Sequence, residues 1–275
     1  MRTLVIPAAG AGTRLLPLTA AVPKELLPLV DRPALDYVLG EGAEAGLTHI
    51  VVVTRSSKRG IQEYLDTGGP GRRWENMELR FVHQEVPLGL GHAVLMAGVH
   101  TADAPFAVAL PDDILTGGCC LADMVAIARR TGRPVIAVRR VPPDEVSRYG
   151  IVTASRVGDG LYDVMDIVEK PAPAEAPSDL AVIGRYVLPP EIFGCLDRLV
   201  PGSGGELQLT DALRQLVRIR PLLAYEFPGR VLDIGTRPGY LRATVELALG
   251  HPDLGPGLAA FLSERFAGHP VAMGR

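Results

Sequence analysis

Residues 3–17 read TLVIPAAGAGTRLLP, a short apolar run that passes directly into a loop with two glycines. Apolar runs of about four to eight residues that end at turn residues are typical of buried strands. Because Gly10 and Gly12 lack side chains, the backbone N–H groups of this loop can approach a phosphate chain closely, and the Arg14 guanidinium matches phosphate oxygens. The stretch predicts a buried first strand that is followed by a phosphate-facing loop.

Two familiar phosphate-binding motifs do not fit this loop. A dinucleotide-binding fold needs a helix directly after the glycines and an acidic residue at the end of the second strand. Pro17 and Pro23 prevent such a helix, and the second predicted strand ends in Thr54 and Arg55. A Walker loop needs the pattern G-x-x-x-x-G-K-[ST], which the sequence lacks. An ordinary strand-to-helix turn remains an alternative to a phosphate-facing loop. The neighbouring motifs are needed to distinguish the two.

Short β-branched runs recur along the first half of the chain, and helical stretches separate most of them. The predicted strands are Thr3–Ala8, His49–Thr54, Leu79–Val82, Phe106–Leu110 and Pro134–Val141. Before the last of these, the predicted helix Cys120–Thr131 places Leu121, Met124, Val125 and Ala128 on one face. This alternation predicts an α/β fold with a Rossmann-like, mixed, mainly parallel sheet that is flanked by helices.

The carboxyl ends of the predicted strands indicate where a ligand would bind, because ligands of such sheets lie beyond these ends. Functional side chains are therefore expected in the loops that begin near Ala9, Pro111 and Arg140. The loop from Asp66 to Asn76 is long and rich in glycine and arginine, and it is predicted to be mobile.

The pattern changes after Gly150, where strands follow one another closely before helices return. The predicted strands are Gly150–Ser155, Leu161–Glu169 and Leu180–Leu188, and the predicted helices are Gln208–Arg218, Gly239–Leu249 and Gly255–Phe266. We expect one domain over residues 1–250, of which residues 142–250 form a smaller β-rich part. Residues 251–275 are predicted to be a C-terminal helical appendage.

Composition limits the possible classes of protein. With 275 residues, 47% of them hydrophobic, the chain can bury a sizeable core, and a net charge of −3 argues against binding to a nucleic acid polymer. The three cysteines include the neighbours Cys119 and Cys120 and fit neither an even disulfide framework nor a metal-binding spacing. Pro7 ends the first apolar run too early for a signal peptide, and no run is long enough to span a membrane. We expect a soluble, cytoplasmic protein that does not act at a membrane.

The first loop continues into the stretch Pro23 to Pro28, which reads PKELLP. The patterns G-x-G-T-R-x-x-P-x-T and P-K-E-x-L-P resemble the signature of the sugar-1-phosphate nucleotidyltransferases, in particular the bacterial UTP:glucose-1-phosphate uridylyltransferases. Motifs that resemble the same family follow in its order: VTRSSK at 53–58, GLGHA at 89–93, LPDD at 110–113, YG at 149–150, VEKP at 168–171, IGRY at 183–186, GELQLTD at 205–211 and DIG at 233–235. The resemblance covers about Thr3 to Leu249. It departs at Ala20, where the family usually has lysine, and in the short segment from Asp66 to Glu78.

The resemblance implies an activity and its partners. The chain would transfer the uridylyl group of UTP to glucose 1-phosphate by direct, Mg2+-assisted in-line displacement, giving UDP-glucose and pyrophosphate. Residues 1–141 would form the nucleotide-binding part and residues 142–250 the sugar-binding part. The family also implies a homo-oligomer. Nothing in the sequence suggests a covalent intermediate, and phosphoryl chemistry of this kind does not require one. We expect positioning and electrostatics to supply most of the catalysis.

Charged and backbone groups are assigned first to the phosphates and the metal. Arg14 and Lys24 are expected to hold the triphosphate, together with a loop that contains Ala9, Gly10, Gly12 and Thr13. Asp112 follows a predicted buried strand, where a carboxylate can bind Mg2+ that is shared with phosphate oxygens, although a helix cap is an alternative. The resemblance implies that Asp233 is the second metal ligand, and a turn aspartate is its alternative.

The remaining site residues are assigned to the base and the sugar. The Gln84 amide both donates and accepts, which suits the uracil edge, although it could instead tie down its own loop; Gly89 would add a backbone contact. Gly150 would let a backbone N–H reach the sugar, and a simple turn is its alternative. By resemblance, Glu169 binds glucose hydroxyls, Lys170 meets the sugar phosphate as a catalytic cation, and Glu206 lies beside the sugar. An exposed ion pair or a helix cap would also explain these residues.

Two other functions stay open on the sequence. A glucose-1-phosphate thymidylyltransferase more often has a Gly-Gly pair in the first loop, where this chain has Ala9 and Gly10, and it lacks the run Gly91 to Ala93. A regulatory homologue without turnover would not need every charged residue of the motifs. The six histidines show no ligand spacing, so none is assigned to a metal.

Overall fold

The first strand lies within one large sheet. Our computed structural model describes residues 1–67, 74, 76–101, 103–202 and 205–267. The strands are β1 (Thr3–Pro7), β2 (Pro28–Leu29), β3 (Arg32–Pro33), β4 (His49–Thr54), β5 (Glu78–His83), β6 (Phe106–Ala109), β7 (Asp113–Thr116), β8 (Val135–Arg140), β9 (Gly150–Gly158), β10 (Leu161–Glu169), β11 (Leu180–Leu188), β12 (Leu222–Glu226) and β13 (Arg230–Asp233). The helices are α1 (Ala34–Glu44), α2 (Arg59–Asp66), α3 (Leu90–Met96), α4 (Cys120–Thr131), α5 (Glu191–Leu196), α6 (Leu209–Val217), α7 (Arg237–Leu249) and α8 (Gly255–Phe266).

The large sheet is mixed. Its nine described strands follow the order β5-β4-β1-β6-β11-β8-β12-β10-β9. The neighbours among β5, β4, β1 and β6 are parallel, as are β8 and β12. β11 is antiparallel to β6 and β8, and β10 is antiparallel to β9 and β12, so seven of the nine strands run in the same direction. The predicted α/β fold with a mixed, mainly parallel sheet and flanking helices is confirmed.

Side-chain alternation along β1 separates two hydrophobic clusters. Leu4 and Ile6 belong to the cluster that α1 and α4 cover, whereas Val5 belongs to the cluster under α3, α5 and α6. Successive residues of a strand point to opposite faces, and both faces of this sheet are covered by helices. This double burial explains why β1 reads as a continuous apolar run in the sequence.

The predicted elements agree closely with the observed ones in the regular parts of the chain. β10, β11, α4 and α8 have the predicted bounds. Among the strands, the sequence analysis missed β2, β3, β7 and β12. β7 pairs with β13 in a separate two-stranded antiparallel sheet, in a register that places Asp113 opposite Asp233. Because β7 is four residues long and begins with a charged residue, its pattern carries little strand signal.

The large sheet continues across the predicted boundary between residues 141 and 142, since β11 and β12 flank β8. The division into nucleotide-binding and sugar-binding parts stays a prediction. At the C-terminal end, α8 packs against α7. The predicted mobile loop from Asp66 to Asn76 and residues 268–275 lie largely outside the described residues. None of the described helices has the length and apolar character needed to cross a membrane.

A buried arginine connects several of these elements. Arg185 on β11 is 1% exposed, and its guanidinium donates to Glu41 Oε2 from Nε at 2.9 Å and from NH2 at 2.7 Å. The same guanidinium donates to the carbonyls of Leu110 (3.0 Å) and Asp113 (2.9 Å), which flank Asp112. Glu41 Oε1 in turn accepts from the backbone N–H of Leu121 at the start of α4 at 3.0 Å. The pair therefore joins α1, α4 and β11 to the loop that carries Asp112.

Replacing Glu41 with alanine should leave the Arg185 charge buried without its partner. Removing one member of a buried ion pair costs about 3–5 kcal/mol. We expect the free energy of unfolding of Glu41→Ala, measured by urea denaturation, to fall by about that amount. The exposed Glu264 on α8 provides the control, and Glu264→Ala should change the stability by less than about 0.5 kcal/mol. A similar small change in both variants would contradict a structural role for the pair.

Candidate active site

Two cavities of about 470 Å³ each adjoin at the carboxyl ends of the strands. The first, here called the loop-side cavity, is bounded by the glycine loop. The second, the hairpin-side cavity, is bounded by β9, β10 and the start of α6. Arg14, Leu90, Leu110 and Asp112 line both cavities, so they share one wall. This position agrees with the prediction that the functional loops lie at the strand ends.

The loop-side cavity brings together most of the predicted phosphate-binding residues. Ala9, Gly10, Thr13, Arg14 and Lys24 all line it. No atom lies within 4 Å of the place where a Cβ on Gly10 would sit, so the backbone there is open to a ligand. The phosphate-facing loop predicted from the sequence therefore has the open backbone that it needs.

Gly12 has a different role from its neighbours. Its φ is +67°, in the left-handed region, and a Cβ there would lie 3.2 Å from the Thr19 side chain. Thr19 Oγ1 donates to the Gly12 carbonyl at 2.8 Å. Gly12 thus permits the turn that presents Thr13 and Arg14, since non-glycine residues rarely adopt this conformation.

A second buried ion pair holds the glycine loop in place. Glu25 is fully buried, and Lys58 donates to its Oε2 at 2.9 Å and to its Oε1 at 3.1 Å. Lys58 Nζ also donates to the carbonyl of Ala8 at 2.7 Å. One ammonium therefore holds the end of β1 and the segment that contains Lys24 in a fixed relation.

Lys24 and Asp112 form an ion pair at the shared wall. Lys24 Nζ lies 2.6 Å from Asp112 Oδ2, and their side chains are 15% and 20% exposed. Burial lowers the pKa of Lys24, but the negative charges of Asp112 and Glu25 outweigh it, so the pKa stands above its ordinary value. Burial raises the pKa of Asp112, but Lys24 outweighs it and the pKa stands below its ordinary value. Both groups are charged at neutral pH.

Asp112 and Asp233 approach one point beside Gly235. Asp233 Oδ1 and Asp112 Oδ2 lie 3.0 and 3.3 Å from the point where a Cβ on Gly235 would sit, and Arg14 NH2 lies 3.3 Å from it. Asp233 Oδ1 also accepts from the Gly235 N–H at 2.8 Å, while Arg148 donates to Asp233 Oδ2 at 2.9 Å. The backbone register between β7 and β13 brings the two carboxylates to this point.

The carboxylates fit a hard divalent cation that shares its coordination with a ligand. Among the described residues, no group of three or more acidic, histidine or cysteine side chains is placed to hold a metal. Mg2+ typically uses one or two carboxylates and completes its shell with water and phosphate oxygens. Two converging carboxylates beside the glycine loop match that requirement.

Asp113, the second aspartate of the LPDD motif, does not cap a helix. It begins β7, and its Oδ2 accepts from the Gly184 N–H at 2.8 Å. Burial and the neighbouring Asp112 charge raise the pKa of Asp113 to about 6. The adjacent aspartates therefore face different partners, and Asp113 anchors the loop to β11.

The hairpin-side cavity contains Gly150, Glu169 and Lys170. Lys170 has a φ of +45°, which is uncommon for a residue with a side chain. The regular alternation of the strand therefore ends at Glu169, and both side chains line one cavity. Lys170 Nζ lies 3.1 Å from Glu169 Oε1. A Cβ on Gly150 would lie 3.4 Å from Glu169 Oε2 and 3.1 Å from Thr210 Oγ1, so glycine keeps this wall open.

The structure adds detail to the predicted placements of Glu206 and Gln84. Glu206, assigned to the sugar side, lines the loop-side cavity, because Leu207 pairs with the segment 88–91 through its N–H to the Leu88 carbonyl (2.7 Å) and its carbonyl to the Gly91 N–H (2.8 Å). Gln84 lines the loop-side cavity with Gly89, as predicted, but its Nε2 donates to the Gly89 carbonyl at 3.1 Å. The amide therefore also ties down its own loop.

The sequence analysis did not identify two arginines that line the cavities. Arg148 lines the hairpin-side cavity and contacts Asp233, and Arg55 lines the loop-side cavity. Arg55 directly follows β4, so the rule that ligands bind at strand ends could have identified it. Arg148 precedes the Tyr149–Gly150 motif in a short helical turn and gives no comparable signal.

Comparison with known proteins identifies the class. The sequence model of the Nucleotidyl transferase family matches residues 3–249, and the chain belongs to this family. UTP–glucose-1-phosphate uridylyltransferase YngB of Bacillus subtilis is 41% identical over 96% of this chain and 95% of its own length. A Streptococcus pneumoniae UTP–glucose-1-phosphate uridylyltransferase is also 41% identical, over 95% of each chain. The resemblance to the bacterial uridylyltransferases is thereby confirmed.

Solved structures agree with this placement. A UDP-glucose pyrophosphorylase complexed with UDP-glucose superposes with a TM-score of 0.87 at 36% identity, covering 91% of this chain and 100% of the other. A UTP-bound enzyme from Acinetobacter baumannii gives a TM-score of 0.86 at 36% identity, covering 96% and 99% of the two chains. A putative glucose-1-phosphate thymidylyltransferase from Bacillus anthracis, with a TM-score of 0.75 over 90% of this chain and 95% of the other, is 22% identical and shares the fold alone.

Proposed function

We propose that this protein transfers the uridylyl group of UTP to glucose 1-phosphate and releases pyrophosphate. The observation that supports this most strongly is the shared wall of the two cavities, where Arg14 and Asp112 face both. Relatives that are similar over nearly the whole chain are named for this reaction, and a similar structure holds UDP-glucose. UTP would occupy the loop-side cavity and glucose 1-phosphate the hairpin-side cavity.

The two cavities suit a direct displacement. An oxygen of the sugar phosphate attacks the α-phosphorus of UTP, the new phosphorus–oxygen bond forms, and the bond to pyrophosphate breaks. Phosphate monoesters have a second pKa near 6, so the attacking oxygen is largely ionised near pH 7 and needs no general base. The protein therefore acts mainly by holding two anions together and stabilising the charge that develops between them.

Cations on both sides of the shared wall provide this stabilisation. Arg14 would hold UTP phosphate oxygens through its planar guanidinium, and Lys24 would supply a point charge close to the α-phosphate. Lys170 would meet the sugar phosphate, while Gly150 and Glu169 contact the sugar. Because buried ion pairs hold Lys24 and the glycine loop in place, little reorganisation is needed when the substrates bind.

We also propose that Mg2+ is the cofactor and that Asp112 and Asp233 hold it. The ion would reduce repulsion between the two phosphate groups and stabilise charge in the transition state. The convergence of the two carboxylates on one point beside Gly235 supports this assignment. Lys24 and Arg148 each pair with one of these carboxylates and keep them oriented.

Two alternatives are less well supported. Solved structures of UDP-glucose pyrophosphorylases are 36% identical to this chain, whereas the thymidylyltransferase structure is 22% identical. A regulatory homologue without turnover would not require Arg14, Lys24, Asp112, Lys170 and Asp233 to line the same two cavities.

Pyrophosphate release tests the proposed reaction directly. Purified protein is incubated with glucose 1-phosphate, Mg2+ and one nucleoside triphosphate at a time. We expect turnover with UTP well above that with dTTP, CTP, ATP or GTP. Equal or faster turnover with dTTP would assign the protein to the thymidylyltransferases, and binding of UTP without turnover would favour the regulatory alternative.

The metal assignment predicts a difference between turnover and nucleotide affinity. Asp112→Asn and Asp233→Asn keep the side-chain size but remove the charge that would hold the ion. We expect turnover to fall by about 100-fold or more, as for other transition-state charge stabilisers. The affinity for UTP, measured by calorimetry without metal, should change much less, because Arg14 and the loop N–H groups remain. Near-normal turnover in either variant would exclude that carboxylate from the metal site.

We propose in addition that two copies of this chain associate through α7 and α8. Leu241, Val245 and Leu249 lie at i, i+4 and i+8 along α7 and are 65%, 40% and 42% exposed. On α8, Phe261 and Phe266 are 60% and 52% exposed. Exposed apolar side chains on two helices that pack together are typical of an association surface, and a second copy supplies a matching apolar face.

Light scattering tests this association at micromolar concentration. We expect a mass of at least twice the 29.3 kDa of one chain. Leu241→Glu, which places a charge in the apolar surface, should shift the mass towards that of one chain, whereas Glu264→Gln should not. A wild-type monomer would refute the proposal.

We infer a cytoplasmic location from the cysteines. Cys119, Cys120 and Cys195 are unpaired, and the latter two are buried. Unpaired thiols are typical of proteins in a reducing compartment. The substrates proposed above are small molecules, and the net charge of −3 gives no reason to expect binding to a nucleic acid polymer or to a membrane surface.

A further inference from the structure

Arg148 lines the hairpin-side cavity, although the mechanism proposed above uses it only to orient Asp233. It shares this cavity with Gly150 and Lys170, the residues assigned to the sugar and its phosphate. It ends a short helical turn that lies directly before Tyr149 and β9. Its side chain is 46% exposed, in contrast to the Lys24 side chain on the other carboxylate, which is 15% exposed. A ligand that enters the hairpin-side cavity can therefore reach the guanidinium.

The backbone places Arg148 close to Lys170. β9 and β10 are antiparallel and pair with Gly150 opposite Glu169. The N–H of Lys170 donates to the carbonyl of Tyr149 at 3.0 Å, so the pairing continues for one residue beyond the strands. Arg148 and Lys170 thus lie at the same end of the hairpin, one on each of its two chains, and both line one cavity.

The guanidinium of Arg148 is held in place and keeps donors for a further acceptor. Its NH2 donates to Asp233 Oδ2 at 2.9 Å, and its Cζ lies 5.4 Å from the centroid of the Tyr149 ring. Its NH1 lies 3.8 Å from Glu145 Oε1, which is too long for a hydrogen bond. Within the described part of the chain, Asp233 is thus its one hydrogen-bond acceptor. A guanidinium carries five N–H donors, so most of those of Arg148 are available to a ligand.

The charges of the hairpin-side cavity show why a phosphate needs this cation. The cavity is lined by four carboxylates and three cations: Asp112, Asp113, Glu169, Asp233, Arg14, Arg148 and Lys170. A phosphate monoester carries a charge of about −1.5 to −2 near pH 7, so the carboxylates repel it unless cations contact it directly. Arg14 also faces the loop-side cavity, where it is assigned to UTP. Lys170 and Arg148 are then the cations that remain for the sugar phosphate.

We propose that Arg148 binds the phosphate of glucose 1-phosphate together with Lys170, while its NH2 keeps the hydrogen bond to Asp233. The assignment rests on the proposed function, in which the sugar phosphate occupies the hairpin-side cavity. Two N–H groups of a guanidinium match two phosphate oxygens, whereas the lysine ammonium supplies a point charge. One guanidinium then contacts both the sugar phosphate and a carboxylate of the proposed metal site.

Calorimetric titration without metal tests the contact in the folded protein, and thermal unfolding of each variant confirms that it is folded. The ligands are UDP-glucose, which carries the sugar phosphate, and UMP, which needs only the loop-side cavity. Arg148→Met removes the charge and all donors, whereas Arg148→Gln keeps N–H donors without the charge. Arg242 lines a neighbouring cavity with Arg148 and Asp233 but not the hairpin-side cavity, so Arg242→Met is the matched control for loss of a nearby positive charge.

A phosphate contact gives a distinctive result. We expect Arg148→Met and Arg148→Gln to weaken UDP-glucose binding by about 10-fold or more, as for the loss of a hydrogen bond from a charged donor. UMP binding should stay within about twofold of the wild type in every variant, because the loop-side contacts are independent of Arg148. Arg242→Met should bind both ligands as the wild type does.

Steady-state kinetics at saturating Mg2+ provide a second measurement. We expect the KM for glucose 1-phosphate to rise in Arg148→Met by about 10-fold or more, with the KM for UTP within about twofold of the wild type. If Arg148 only oriented Asp233, both KM values would be unchanged, and the variant would instead need more Mg2+ for half-maximal turnover.

Three outcomes would overturn the assignment. Unchanged UDP-glucose binding in Arg148→Met would show that Arg148 does not contact the sugar phosphate. Full UDP-glucose binding in Arg148→Gln would make the contact one with a sugar hydroxyl, which an uncharged donor can serve. An equal loss in Arg242→Met would reduce the effect to general charge. Failure of the proposed function is separate, because it would appear as a wild-type protein that binds neither UMP nor UDP-glucose and releases no pyrophosphate from UTP.

Discussion

The buried guanidinium of Arg185 is the contact on which the arrangement of the active site depends. It joins Glu41 of α1 to the carbonyls of Leu110 and Asp113, and Glu41 also accepts a hydrogen bond from the backbone N–H of Leu121 near the start of α4. A cation at 1% exposure is stable only if each of its donors is satisfied. That requirement fixes the loop around Asp112 in one geometry. The metal-binding carboxylate that we propose is therefore held by the core of the fold.

Other charged side chains around the two cavities are likewise held in place by partners within the protein. Lys58 holds Glu25 and the end of β1, Lys24 meets Asp112, and Arg148 meets Asp233. The site thus contains cations and carboxylates at set positions before any substrate binds. An enzyme that joins two phosphate-bearing substrates benefits from this arrangement, because the cost of orienting the charges is met during folding. Gly12 and Lys170 have left-handed φ values. The resulting turns direct the side chains of Arg14 and Lys170 towards the cavities.

The residues that the sequence analysis assigned to the phosphates lie mostly in one stretch of the chain, whereas those assigned to the base and the sugar come from distant segments. Gly10, Arg14 and Lys24 belong to a contiguous stretch whose chemistry is visible residue by residue. Glu206, which the resemblance places beside the sugar, lines the loop-side cavity, because its position depends on the pairing of Leu207 with the segment 88–91, more than a hundred residues earlier in the chain. The internal hydrogen bonds of Gln84 likewise depend on neighbours beyond its own strand.

The amino-acid sequence by itself determined the α/β class, the bounds of β10, β11, α4 and α8, and the family, because strand burial, helix periodicity and short motifs are local properties of the chain. The tertiary structure determined which charged side chains lie close to one another. The convergence of Asp112 and Asp233 requires the antiparallel pairing of β7 with β13, and β7 had no recognisable strand pattern. The antiparallel pairing of β9 with β10 places Arg148 close to Lys170. Contacts between distant segments depend on strand register, which the packing of the whole sheet fixes and no local stretch of sequence encodes.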